Sequence, residues 1–361
     1  MAGNANLCAA KAAKNDEFYT QWGDIENETN AYLDCNQDAF RGKTVLLPCD
    51  DPEWSNFTRF FVYNFTAFGI EKLISTSYTP RGNGRIFVME SGSKSDGGIK
   101  WECLDGDGDF RSDEVTALRN EADMVITNPP FSLFREFMAW LVDGDVKFSV
   151  IGNMNGIGYK EIFPLIKENE MWLGASRMGA KYFALPSNAP VKANQHEENG
   201  VRFQKFGNIA WFTNIQHGRR HDPLPLMTMD DNLRYNKRIM SSPNSYKAYD
   251  NYDAIEVPIT AGIPSDYDGV MGVPISFLDK YSPEQFEILG ISEANAKGGS
   301  GDLWDQTSGV RHPLIAGDRT YARIFIRHHH RHLAIQSLSQ SRSGQSSLRC
   351  KRGFSHVEVR G

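Results

Sequence analysis

The sequence predicts an α/β protein built on a mainly parallel sheet with helices on both faces. Short apolar runs alternate with helix-length amphipathic stretches from about residue 44 onward, which is the rhythm of strand, helix, strand. Two of the apolar runs end in polar corners, Cys49-Asp50-Asp51-Pro52 and Asn128-Pro129-Pro130-Phe131. The chain has 361 residues, 40% of them hydrophobic, enough for one large or two small cores. Sheets of this kind bind ligands beyond the carboxyl ends of their strands, where strand order reverses, so those corners are where chemistry is expected.

The opening residues are polar and lead through Asp16-Glu17-Phe18-Tyr19-Thr20 to a helix-like stretch from Asp24 to Leu33. Thr44 to Pro48 reads as the first strand. A helix from Glu53 to about Phe68 follows, with Phe57, Phe60, Phe61 and Phe65 near helical spacing as core contacts. Lys72 to Thr76 reads as a strand, and Arg85 to Met89 with Trp101 to Leu104 as a less regular pair. Met124 to Thr127 is the next strand, followed by a helix from Leu133 to Leu141 and a strand from Phe148 to Gly152. A helix from Tyr159 to Lys167 and strands at Met171 to Leu173 and Ile209 to Phe212 complete the expected sheet.

Past Thr213 the chain turns polar and loop-like. Arg219, Arg220, Arg234, Lys237 and Arg238 are interspersed with Tyr235, Tyr246 and Tyr249, a mixture suited to tracking phosphates and stacking bases; a solvated loop is the competing account. From Arg327 a histidine cluster and a Ser, Gln and Arg-rich tail suggest poor packing. Those histidines lack acidic or cysteine partners at ligand spacing. The expected organisation is an N-terminal segment (1–35), a central domain (36–215), a recognition region (216–326) and a disordered tail (327–361).

Several functions lose support. Five widely spaced cysteines without a Cys-x-x-Cys pair favour neither disulfides nor zinc. Asp105-Gly106-Asp107-Gly108-Asp109 opens like a calcium loop, yet Phe110 and Thr116 stand where glycine and glutamate are needed, so no metal is expected. No phosphate-binding Gly-x-x-x-x-Gly-Lys loop or Gly-x-Ser-x-Gly elbow occurs. With no leader-like start and no membrane-length apolar run, a cytoplasmic protein is expected. A net charge of −6 weighs mildly against nucleic acid, although local basic clusters can coexist with it.

Asn128-Pro129-Pro130-Phe131 carries the most chemistry. Both prolines fix φ and remove backbone donors, leaving the carbonyls of Asn128 and Pro129 and the Asn128 amide oxygen as acceptors for a planar amino group. Phe131 is placed to stack on the ring that bears the amine. An ordinary strand-ending turn is the plain alternative. At the first corner, Ser55 and Phe57 stand where a nucleotide-binding turn normally has glycine, and the adjacent carboxylates Asp50 and Asp51 serve either a ligand or a helix cap.

Taken in order, Phe18-Tyr19-Thr20, Asp51-Pro52, Asp109-Phe110 and Asn128-Pro129-Pro130-Phe131 resemble the amino-methylating DNA methyltransferases in their gamma arrangement. With Cys49-Asp50-Asp51-Pro52, Gly106 to Ser112, Thr127 to Phe134 and Tyr267 to Pro274, the chain more narrowly resembles the EcoRI-type adenine-specific methyltransferases over about residues 12 to 326. The resemblance implies a Rossmann-like, seven-stranded-type fold using S-adenosylmethionine. It implies methyl transfer to the exocyclic amine of a flipped adenine in double-stranded DNA, with a restriction endonuclease as a system partner. By the same resemblance, Asn128, Pro129, Pro130 and Phe131 are catalytic. Phe18, Tyr19 and Thr20 approach the methionine end of the cofactor, Asp50 and Asp51 its amino and ribose side, and Asp109 with Phe110 its adenine. Ser75-Thr76-Ser77-Tyr78 lacks the carboxylate that commonly binds the ribose. RNA or a protein amide as acceptor, or a DNA-binding protein without turnover, remain the alternatives.

Overall fold

The computed structural model describes residues 20–92, 98–176, 179–185, 195–292 and 301–329. Phe18, Tyr19 and most of the expected tail lie outside them.

The parallel centre is four strands: β1 (Thr44–Leu47) lies between β2 (Lys72–Ser77) and β5 (Met124–Thr127), and β5 pairs with β6 (Lys147–Asn153). The flanks correct the expectation of a mainly parallel sheet. β3 (Arg85–Glu90) and β4 (Ile99–Cys103) add antiparallel outside β2, while β10 (Val201–Thr213) runs antiparallel to β6 and carries the edge strand β7 (Trp172–Leu173). The order β4-β3-β2-β1-β5-β6-β10-β7 changes direction between β1 and β5, the switch point at whose carboxyl ends sheets of this kind bind ligands.

The helices follow from local chemistry. In α2 (Asn56–Phe68) the Ser55 hydroxyl accepts from the Phe57 amide at 3.0 Å, and Gly69 ends the helix at a left-handed φ of 65°. Phe57, Phe60, Phe61 and Phe65 are buried, as their spacing predicts. α1 (Trp22–Cys35) buries Glu28, whose carboxylate accepts from Tyr32 and from the amides of Ala175 and Ser176, fastening the helix to the turn after β7. α3 (Asp113–Glu121) escapes hydrophobic periodicity because only Val115 and Arg119 are buried on it. Ser112 as a cap and two acidic residues in its first turn define it instead. α4 (Phe134–Asp143) buries Phe134, Phe137, Met138, Trp140 and Leu141.

β10 is 13 residues long, against the four expected. Its first half forms an antiparallel arm with β8 (Gly179–Ala184) and β9 (Gln195–Glu198), closed by Asn199 and Gly200 at φ 51° and 76°. An Asn-Gly pair before the alternating Val201 to Gln204 is a hairpin signal the sequence carried.

A four-stranded sheet, β11 (Ile255–Glu256), β12 (Met271–Pro274), β14 (Arg323–His328) and β13 (Phe286–Ile291), forms the C-terminal part. Phe277, Phe286 and Ile324 from this part share one hydrophobic cluster with Phe163, Ile166 and Phe212 of the first, so the two sheets are packed together. The last strand also runs past the boundary expected at 327. Arg327 pairs with Glu287 at 2.7 Å, and His328 is buried, donating from Nε2 to the Pro264 carbonyl at 2.8 Å.

Candidate active site

Asp50 is the hub where β1 ends. It is 5% exposed and accepts from the hydroxyls of Ser55 and Thr127, each at 2.6 Å. Thr127 ends β5, so this bond ties the first corner directly to the Asn-Pro-Pro-Phe corner. Ser75 donates to the Asp50 carbonyl at 2.6 Å and Thr76 to the Pro48 carbonyl at 3.1 Å, which fixes the main chain from the β2 side. Burial pushes the Asp50 carboxyl up to about 7, outweighing the two hydroxyls that favour its ionised form. Asp51 faces outward: it caps the Glu53 amide at 3.0 Å and pairs with Arg85 at 2.8 Å.

Thr20 covers this corner. The Asn56 side chain donates to its carbonyl at 2.7 Å, which lays the N-terminal segment across the start of α2. Its hydroxyl is buried with no hydrogen-bond partner among the described residues. Beside it, the loop from 105 to 110 is laid against the end of β2 by bonds from the Thr79 amide to the Asp107 carbonyl and from the Gly84 amide to the Gly106 carbonyl. A Cβ on Gly108, at φ +82°, would stand 2.2 Å from the Ser77 carbonyl oxygen, so this approach requires glycine. Gly108 of the repeated Gly-Asp therefore has a packing reason of its own. No group of three or more His, Cys, Asp or Glu among the described residues is placed to hold a metal.

Two expected adenine contacts are otherwise engaged. Both Asp109 oxygens accept from the Arg111 guanidinium, at 2.9 and 2.5 Å; burial alone raises this carboxyl, and the Arg111 bonds outweigh it and hold it below the usual range. The Phe110 ring is 3% exposed and packs edge-on against Phe137 and Trp140.

Asn128 and Phe131 are half-buried and Pro129 is buried. The Pro130 carbonyl accepts from the Leu133 amide at 2.9 Å, turning the chain through a 3-10 turn, Phe131–Leu133, into α4. Phe131 meets two rings of the arm edge-on, Phe206 at 5.8 Å and Phe183 at 6.1 Å, which themselves pack at 5.6 Å. The arm therefore orients the ring expected to stack on the acceptor, a role that composition did not reveal. Phe183→Ala is expected to destabilise the protein by about 3–5 kcal/mol in a denaturant titration, because it empties a fully buried aromatic site. It is also expected to lower turnover beyond the loss of folded protein. Full specific activity in the remaining folded fraction would remove the arm from the site.

The basic region is only partly a surface. Arg219 pairs with Asp279 at 2.8 Å and also donates to the Ala175 carbonyl; Arg220 is 4% exposed. Arg219 is half-buried and ion-paired and Arg220 is buried, so neither is a free charge on the surface. Arg234, Lys237 and Arg238 are exposed on α5 (Met229–Tyr235) and α6 (Lys237–Ser241), with Arg234 paired to Asp230 at 2.7 Å. Tyr235 beside them is 71% exposed.

An α/β sheet whose two central corners join a buried aspartate to an Asn-Pro-Pro-Phe turn is the arrangement expected of an amino-group methyltransferase. The comparison with known proteins is more specific. The chain belongs to the EcoRI adenine-specific methyltransferase family, whose model, described as "Adenine-specific methyltransferase EcoRI", matches residues 6–329. It is 42% identical over 310 residues to the type II methyltransferase M.EcoRI of Escherichia coli, covering 80% of this chain and 90% of that protein. It is 38% identical over 284 residues to the type II methyltransferase M.MpnI of Mycoplasma pneumoniae, 78% of this chain and 83% of that protein. A third relative, the type II methyltransferase M.MgeORF184P of Mycoplasma genitalium, is 36% identical over 285 residues, 78% and 84% of the two chains. No solved structure matches the chain.

Proposed function

We propose that this enzyme methylates the exocyclic N6 amine of adenine at a specific site in double-stranded DNA, on a base flipped out of the helix. The bond from Thr127 to Asp50 at 2.6 Å carries the reading, because it sets the amine-holding corner and the cofactor corner side by side on adjacent strands. The residues suit S-adenosylmethionine: a buried carboxylate, Asp50, lies at the end of β1, and Thr20, bonded to Asn56 at the start of the following helix, has a buried hydroxyl with no partner among the described residues, so an ammonium and a carboxylate or ribose hydroxyl find partners there. When bound, that cofactor supplies a sulfonium methyl electrophilic enough that alignment is the remaining task. Asn128 and the Pro129 carbonyl accept the two amine hydrogens and hold the nitrogen lone pair in line. Phe131 stacks on the adenine. Phe18, Tyr19 and Asp51 complete the cofactor side, with Asp109 and Phe110 supporting the adenine end from behind. Lys237, Arg238 and Arg234 follow the DNA backbone, beside the exposed Tyr235.

The chain works in the cytoplasm as the modification half of a restriction pair, in keeping with the type II relatives; no helix among the described residues is long and apolar enough to cross a membrane. The decisive measurement supplies unmethylated DNA and S-adenosylmethionine with a labelled methyl group, then locates the label by modification-sensitive sequencing. Label in N6-methyladenine at one recurring sequence is expected. Label in cytosine, in RNA or in a protein amide only would overturn the assignment.

A further inference from the structure

A second site lies at the edge of the large sheet, on β7, three strands away from β5 and apart from the proposed catalytic corner. Trp172, His217, Arg219, Arg220, Asp279 and Tyr281 line a cleft there, with an empty space of about 380 Å³ counted out to its open mouth. Arg220 is its centre. The guanidinium lies 3.6 Å over the Trp172 ring, and its Nη2 donates to the Asn169 side-chain oxygen, a neutral acceptor. Its Nε and Nη1 have no partner among the described residues, although the residue is only 4% exposed.

The neighbouring carboxylates are already engaged: Asp279 binds Arg219 at 2.8 Å and Glu284 binds His221 at 2.6 Å. Arg220 makes no ion pair among the described residues: Glu284 reaches it only through space, and its direct contacts are a neutral amide and an aromatic ring, so burial of the charge is costly unless an anion joins it. His217, 2% exposed, adds a second requirement. Its Nε2 donates to the Leu173 carbonyl at 2.9 Å, so in the neutral ring Nδ1 is an acceptor, buried and without a partner among the described residues. A ligand that satisfies both groups must accept from Arg220 and donate to His217.

We propose that this cleft binds a small oxyanion that still carries a proton, of the hydrogen phosphate or bicarbonate kind. Its charged oxygens accept from Nε and Nη1 of Arg220, and its hydroxyl donates to Nδ1 of His217. Chloride and sulfate, which have no proton to give at neutral pH, meet only half of the site. The proposal stands independently of the acceptor assigned to the catalytic corner.

Thermal unfolding of the full chain at pH 7.5 and fixed ionic strength tests it, with sodium phosphate, bicarbonate, sulfate and chloride as four separate titrants. A saturable rise in Tm with phosphate or bicarbonate, larger than with sulfate or chloride, is expected; the stronger of the two identifies the source. Arg220→Met should weaken that response at least tenfold, and His217→Phe should erase the preference over sulfate. Equal shifts for all four anions, or an undiminished response in Arg220→Met, overturn the proposal. Should Arg220→Met fail to fold, the phosphorus NMR line of phosphate and the carbon-13 line of labelled bicarbonate, each mixed with the native chain and with His217→Phe, decide. Broadening of either line that is weaker with His217→Phe supports the site, and no broadening of either line, or equal broadening with both chains, refutes it.

Discussion

Asn128→Ala is expected to slow methyl transfer by about 10²- to 10³-fold, the loss typical of removing one aimed polar group from a reacting centre. Cofactor affinity should stay within a few-fold of the native value, since Asp50 is bonded to Ser55 and Thr127 and not to Asn128. The physical reason is alignment. Without the amide acceptor the adenine amine rotates, and its lone pair is no longer held toward the methyl donor. Folding should change little, because Asn128 is half-buried at a corner whose shape is set by Pro129 and Pro130. The check is single-turnover methylation beside calorimetric binding of S-adenosylmethionine. Parental turnover in the variant would detach this corner from the chemistry.

Asp50→Asn should change how both stability and cofactor binding depend on pH. The folded chain holds the Asp50 proton up to about pH 7, whereas an unfolded aspartate releases it near the ordinary value of 3.8. The folded state therefore binds more protons in that window. Its extra stability is fully present below about pH 4 and is lost as pH rises toward 7, at most about 4 kcal/mol over the interval. Asparagine cannot ionise, so the native chain should lose stability relative to Asp50→Asn as pH rises from 4.5 to 8. Comparing the two chains cancels groups such as Asp109 and Asp123, whose carboxyls lie below their usual range and act at lower pH. A cationic cofactor ammonium favours the ionised carboxylate, so affinity for S-adenosylmethionine should climb as pH rises through about 7. At pH 8 Asp50→Asn should bind about ten- to a hundredfold more weakly, the worth of a charged hydrogen bond. Parallel pH profiles for the two chains, in both melting and binding, would show that Asp50 is not the titrating group.

The sequence by itself determined the corners. Proline at 129 and 130 acts through local geometry, so its consequence is readable without knowing the fold, whereas the need for glycine at 108 comes from the approach of Ser77 and the cap at Ser55 shows only in the folded chain. The apolar runs at β1, β5 and β6 were legible for the same reason, because a buried strand must be apolar along its length. Only the tertiary structure decided which charges are free. Arg219, Arg220 and Asp109 read as binding groups in the chain, yet Arg219 is paired with Asp279, Arg220 is buried against a tryptophan and Asp109 is paired with Arg111. Tertiary structure also decided that Phe131 is braced by Phe183 and Phe206, residues more than 50 positions away that an antiparallel arm brings beside it. Backbone propensity is a local property, whereas the availability of a charge or a ring depends on every element packed around it, and that is fixed only when the sheets close.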